Sequence, residues 1–297
     1  VTLIGIDVSR HQGRIDWSAV AGVEFAICRA SLATTPDPTF PRNRAGAAAI
    51  DLVPGAYHFL YPASVVSPER QADLFASLVG DPAGMLIALD IERDGDARPD
   101  SGDATRFISR LRSLWPAHPL LLYGPAWYWP AIGSPSLARY GPLWHSRYIG
   151  ASGAHPRELY ASVPGSFWRV SHGGWTAPTI LQFTSRSRVS GIAGAVDGNA
   201  FRGTRAELLT LAGIAPLPAA SEWRAALPRW PFWVYRVDAG RITGRSVAIR
   251  GAGSTVPVAP PAWHDWPGTG RRQLVRVTRG IYDGRYLPAE YAKEGSA

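Results

Sequence analysis

The chain has 297 residues, 46% of them hydrophobic and 18% charged, with a formal net charge of +8. That balance excludes disorder over most of the chain, and the length is ample to bury a core without staples. A single cysteine, Cys28, excludes an intrachain disulfide and a cysteine-based zinc site, and no uncharged apolar run approaches the roughly 18 residues of a membrane span.

In chain order, LIGIDV (3–8) reads as a buried strand, followed by IDWSAVA (15–21), where Asp16 caps a short helix. VEFAICRA (23–30) is a second strand, 43–50 a helix and LVPGAYHFL (52–60) a third strand. Residues 67–79 carry a helix start, with Ser67 as N-cap, Pro68 in the first turn and Glu69 behind it. MLIALDIE (85–92) is a strongly apolar fourth strand ending in two acids; 103–115 is an amphipathic helix and PLLLYG (119–124) a fifth strand. Beyond it PLWHSRY (142–148), TILQFT (179–184) and GAVDGNAF (194–201) read as strands joined by irregular loops. Near-continuous apolar strands alternating with helices imply a parallel sheet covered on both faces. Five βα units followed by three strands suggest an α/β fold, a closed barrel with an irregular last third.

This barrel-sized unit is expected over 1–212, a Pro/Ala linker over 213–222 and a small β-rich module over 223–297, within which TVPVAPPAWHDWPGTG (255–270) reads as a loop. Residues 221–297 hold 12 basic and 6 acidic side chains and five of the twelve tryptophans, Trp223, Trp230, Trp233, Trp263 and Trp266. That composition suits an anionic polymer or a glycan, or a β-appendage that packs its Trp residues on a neighbour.

Asp7, Asp90, Glu92 and Asp197 each fall at the end of an apolar strand, the place where a parallel barrel collects its catalytic groups. Asp90 and Glu92 are two apart, so both project to one face, with Cα atoms roughly 6–7 Å apart at about 3.3 Å rise per residue. Carboxylates that close raise one another's proton affinity, and one protonated acid beside one ionised acid is what glycosidic cleavage needs. A lone Asp7 could equally be a salt-bridged or loop-capping acid; four acids together are harder to assign to packing. HExxH, GxSxG and GxxxxGK[ST] are missing from the sequence, which leaves a zinc peptidase, a serine hydrolase and an NTPase without support.

The series GIDVSRHQGRIDW (5–17), GAYHFLYP (55–62), ALDIE (88–92), LWHSRY (143–148), LQFT (181–184) and GIAGAVDGNAF (191–201) resembles the glycoside hydrolase family 25 lysozymes, the Chalaropsis-type muramidases, over about residues 1–205. The resemblance implies a TIM-like (β/α)5β3 barrel and cleavage of the β-1,4 bond between N-acetylmuramic acid and N-acetylglucosamine in bacterial peptidoglycan, with net retention. It makes Glu92 the general acid and Asp90 the second carboxylate, acting either as nucleophile or as support for attack by the substrate's own N-acetyl group. Asp7 and Asp197 match the remaining rim acids. Substrate contacts are expected at Tyr57 first, then Phe59, Tyr61, Tyr123, Trp144, Tyr148 and Gln182, because sugar C–H faces stack on aromatic rings; each aromatic could instead be core. His11 lies beside Asp7 in the signature loop. The family's usual acidic, Gly-containing segment after the second strand is replaced by ASLATTPDPTF (30–40), and Gly198 stands where a bulkier residue is usual, a change expected to loosen the last strand.

The partners expected are therefore peptidoglycan and, through the tail, an anionic wall polymer, with no nucleic acid, metal or cofactor. The start VTLIGIDVSRHQG shows no basic-then-apolar leader, so action at the cell wall is expected after signal removal or by phage-type lysis. The competing readings are a silent glycan-binding or virion-associated barrel and a chitin-type glycosidase.

Overall fold

The computed structural model describes residues 1–214 in full and, beyond them, only the backbone of short strands. Two compact units divide the chain, Val1–Ala215 and Pro216–Ala297.

The first unit is a closed eight-stranded barrel. Its strands are β1 (Thr2–Val8), β2 (Phe25–Leu32), β4 (Val53–Phe59), β5 (Leu86–Asp90), β6 (Leu121–Tyr123), β7 (Leu143–Ser146), β8 (Ile180–Ser187) and β9 (Val196–Arg202); β3 (Thr35–Pro36) is a two-residue hairpin arm on β2. Helices α1 (Phe40–Ala49), α2 (Pro68–Val79) and α3 (Ser101–Leu114) follow β2/β3, β4 and β5, and two short helices, α4 (Pro156–Tyr160) and α5 (Arg205–Leu211), lie in the irregular last third. The Ser67 start signal acts as read, its side chain accepting from Arg70 N; α3 starts two residues before the expected 103, where Asp100 and Asp103 form a reciprocal capping box.

Apart from the β3 arm, neighbouring barrel strands from β1 through β8 run parallel, as the apolar pattern implies. The expectation of a parallel sheet fails at β9, which is antiparallel to both β8 and β1. Asp197 is therefore the second residue of its strand and not its end. A reversed strand begins at the rim where the others finish, so Asp197 still stands opposite Asp7 in register. Periodicity marks a strand but carries no information about its direction.

Alternation builds two layers. Inside the barrel pack Phe25, Ile27, Leu86, Ala88, Leu121, Ile180 and Phe201; outside, under the helices, pack Ile4, Ile6, Ala26, Leu89, Phe75, Phe107 and Phe183. Gly5 is required by this filling, since a Cβ there would lie 2.3 Å from the Phe25 ring. Gly198 has a comparable reason: a Cβ would meet Thr184 Cγ2 at 2.9 Å and Pro156 Cβ at 3.0 Å. The glycine lets α4 approach β9 closely, so the expected loosening of the last strand is replaced by tight packing.

In the second unit five strands, β11 (Phe232–Asp238), β12 (Arg241–Ala248), β14 (Ala262–Asp265), β15 (Arg271–Arg276) and β16 (Tyr286–Pro288), close into a small barrel. β13 (Thr255–Pro257), β10 (Trp223–Ala226) and β17 (Ala292–Glu294) form a three-stranded sheet. The segment 255–270, read as a loop, thus contains β13 and β14. Its prolines interrupt the alternation that would have marked them. The linker residues 215–222 and the side chains of the five tail tryptophans lie outside the described residues.

Candidate active site

Asp7, Asp90, Glu92 and Asp197 line one open cleft of about 260 Å³ at the barrel mouth, together with Arg29, Tyr57, Phe59, Tyr123, Trp144, Tyr148 and Gln182. Each acid arrives by its local structure. Asp7 is the penultimate residue of β1, Asp90 is the last residue of β5, and Asp197 faces Asp7 across the β1–β9 pair. Glu92 lies two residues beyond β5, with the intervening Ile91 fully buried in the outer layer, so that Asp90 and Glu92 turn to the cleft together.

Asp7 is the best supported of the four. Its Oδ2 accepts from Gln182 Nε2 at 2.8 Å and from Asn199 Nδ2 at 2.7 Å. Both amides are themselves oriented. Tyr123 and Tyr148 donate their hydroxyls to Gln182 Oε1 at 3.0 and 2.8 Å, and the Trp144 indole N–H donates to Asn199 Oδ1 at 2.8 Å. Donors already committed to the two amide oxygens force both amide N–H groups toward Asp7. Burial raises the Asp7 pKa, to about 6, and these two donated hydrogen bonds hold it from rising further.

The other three acids take protons more readily. Burial, then the charge of Asp7, pushes Asp197 up to about 8. Burial, then Asp7 and Asp94, pushes Glu92 up to about 7. Asp90 is raised well above the usual range by burial and by Glu92 and Asp7, opposed by the Arg29 guanidinium; its buried Oδ1 has no hydrogen-bond partner. Near neutral pH the cleft thus holds ionised and protonated carboxyls side by side, the mixture that acid-assisted cleavage of an acetal requires.

A stability consequence follows for Asp197. Its folded pKa lies above the ordinary carboxylate value, so the protonated folded state gains stability that is complete below about pH 4 and is lost as pH rises through about 8. Asp197→Asn should therefore raise stability by about 1–3 kcal/mol at pH 8 and by little at pH 4. Thermal melts of both proteins across that range check it; a gap that does not widen with pH refutes it.

The aromatic residues divide by exposure. Tyr57 is buried edge-on to Trp144, with centroids 6.0 Å apart, and Trp144 packs edge-on to Tyr123 at 5.0 Å. These rings form the cleft floor. Tyr148 is 49% exposed and Phe59 half-buried, so both present open faces. Tyr61 lies beyond β4 and donates its hydroxyl to Asp94 at 2.7 Å, while His58, on the opposite face of β4, is buried against Phe107 and Phe75. His11 is exposed at the rim. Of WYW (127–129), Tyr128 and Trp129 are buried and Trp127 is exposed.

Arg29 and Asn199 were missed by the sequence reading. Arg29 is a lone charge inside the apolar β2, and Asn199 stands two residues from Asp197 and so shares its face; both patterns were present to be read. Arg29 Nε is paired with Asp37 at 2.9 Å, and Asp37 also accepts from the Arg10 and Thr39 amides and the Thr39 hydroxyl. The unusual segment 30–40 therefore supplies the clamp that holds the cleft's cation.

Residues 6–192 match the family Glycosyl hydrolases family 25. Lysozyme M1 of Streptomyces globisporus is 32% identical over 232 residues, 70% of this chain and 70% of that protein. Among solved structures, the bacterial lysozyme of Streptomyces coelicolor is similar at 31% identity and a TM-score of 0.57, over 71% of this chain and 96% of that one. A family GH25 lysozyme from Aspergillus fumigatus shares the fold at 22% identity and a TM-score of 0.58, over 71% and 99% of the two chains.

Proposed function

The chain belongs to glycosyl hydrolase family 25, as a lysozyme-type glycoside hydrolase, and from that premise we propose that it cuts the β-1,4 bond between N-acetylmuramic acid and N-acetylglucosamine in bacterial peptidoglycan with net retention. The observation that carries the reading is a carboxyl, Glu92, set in one cleft with three further acids, where burial and neighbouring negative charge raise its proton affinity. Glu92 gives its proton to the glycosidic oxygen as that bond breaks. The acetamido oxygen of the muramic acid attacks its own anomeric carbon, and the carboxyl of Asp90, which lines the cleft, receives the acetamido N–H whose positive charge grows. Water then opens the cyclic intermediate from the face that the leaving sugar vacated, opposite the acetamido oxygen, with Glu92 as base, so two inversions leave the configuration retained. Asp7 and Asp197 hold the cleft's protonation and bind sugar hydroxyls.

Product analysis of digested sacculi tests the assignment. New reducing N-acetylmuramic acid ends support it; reducing N-acetylglucosamine ends point to a glucosaminidase, and no release favours a silent binding barrel. A slow fluoro-sugar substrate that leaves a sugar ester on Asp90 would replace the acetamido route with direct attack.

Residues 221–297 would add wall binding to this activity. Their net +6 and their tryptophans suit an anionic wall polymer, so wall contact outside the cell is the expected setting. Deleting residues 221–297 should weaken sacculus binding about tenfold or more while sparing turnover of soluble glycan fragments. Unchanged binding in a pull-down with sacculi removes the idea.

A further inference from the structure

A second hollow of about 520 Å³ adjoins the acid cleft and shares Glu92, Tyr123 and Tyr148 with it. Its character is opposite. Glu92 is the acid that lines it, whereas Arg147, Arg169, His145 and His172 line the remainder, and Trp127 offers a 56% exposed ring at its edge. Arg147 is held in place, its guanidinium 4.4 Å over the Phe167 ring and donating to the Ser166 carbonyl at 3.3 Å. The rings of His145 and His172 lie 5.3 Å apart, and His172 Nε2 is 3.2 Å from the Gly124 carbonyl. His145 is 3% exposed, and its buried Nδ1 has no partner. Burial lowers the proton affinity of both imidazoles, that of His145 to about 4, so near neutral pH the fixed positive charge of the hollow rests on the two arginines.

Position assigns the hollow a side. Glu92 reaches the glycosidic oxygen, so the sugars joined by that oxygen lie on either side of it. The cleft with Asp7, Asp90 and Asp197 takes the sugar whose anomeric carbon reacts, which leaves the basic hollow for the departing strand. We propose that this hollow binds a carboxylate carried by the departing glycan, on a lactyl ether or on the peptide built upon it, with Trp127 flanking the sugar that bears it. The proposal rests on the muramidase reading: within peptidoglycan the glucosamine units are neutral and the muramic units carry the acid. Guanidinium groups recognise carboxylates in bidentate fashion.

The test compares the full-length wild type with the Arg147→Gln/Arg169→Gln double variant on three soluble glycans. One bears peptide stems, one bears free lactyl carboxylates, and one has its carboxylates converted to neutral amides. The wild type should favour the carboxylate-bearing glycans over the amidated one by about tenfold in kcat/KM, and the double variant should discriminate by less than about twofold. Taking the ratio between enzymes cancels any effect of amidation in the acid cleft. The stem-bearing and stem-free glycans identify which carboxylate is seated. The Arg147→Lys/Arg169→Lys variant retains the charge without the bidentate fork and should discriminate to a degree between the wild type and the Gln variant. Equal discrimination by wild type and Gln variant overturns the inference alone; failure of the wild type to cut any of the three overturns the muramidase reading beneath it.

Discussion

Glu92→Gln is expected to lower kcat by about 10²–10⁴-fold, the range that a positioned general acid contributes. Glutamine keeps the shape of the side chain but carries no acidic proton, so the leaving oxygen departs as an alkoxide. The fold should be untouched. No hydrogen bond ties the Glu92 side chain to another described residue, and removing a carboxyl whose pKa is raised to about 7 relieves a folded-state cost. The variant's melting temperature should equal or exceed that of the wild type near neutral pH. In the wild type, Glu92 must be protonated to act, so turnover should hold on the acid side and fall as pH passes through about 7. Reducing-end assays of the purified proteins decide the matter: a variant within tenfold of wild type removes Glu92 from the role of acid.

Arg29→Met is expected to lower stability by about 3–5 kcal/mol, because it leaves the buried Asp37 carboxylate without its ionic partner, held by neutral donors alone. In a unit of this size that corresponds to a fall in Tm on the order of 6–20 °C. Arg29→Met combined with Asp37→Asn should recover part of the loss, since it removes both charges and leaves an amide oxygen to accept from the Thr39 amide and hydroxyl, at the cost of the acceptor of the Arg10 amide. The single variant should also lose turnover. Arg29 opposes the burial and the neighbouring negative charges that drive Asp90 toward protonation, so its removal pushes Asp90 further toward the neutral form. If the single and double variants melt together, the ion pair is not what holds this corner of the cleft.

These expectations share one physical basis. The cleft concentrates four carboxyls around one guanidinium, and its only fully supported anion is Asp7, fixed by Gln182 and Asn199. Such a cluster lowers stability as pH rises because the folded state binds protons more tightly than the unfolded chain. In the proposed reaction the same proton affinity keeps on Glu92 the proton that the leaving oxygen would take.

What the sequence determined by itself was whatever is local or periodic: eight barrel strands, the helix starts at Ser67 and Asp16, and the placement of Asp7, Asp90 and Glu92 at or just past strand ends. Alternation put Tyr57 and His58 on opposite faces and paired Asp90 with Glu92 across the intervening Ile91. The reversed direction of β9, the facing of Asp197 with Asp7, the close approach that demands Gly198 and the Arg29–Asp37 clamp were decided only by the tertiary structure. So was the ranking of the four acids. Proton affinity depends on burial and on distances between groups far apart in the chain, 175 and 192 residues for the two donors on Asp7, and neither quantity is encoded in a local pattern.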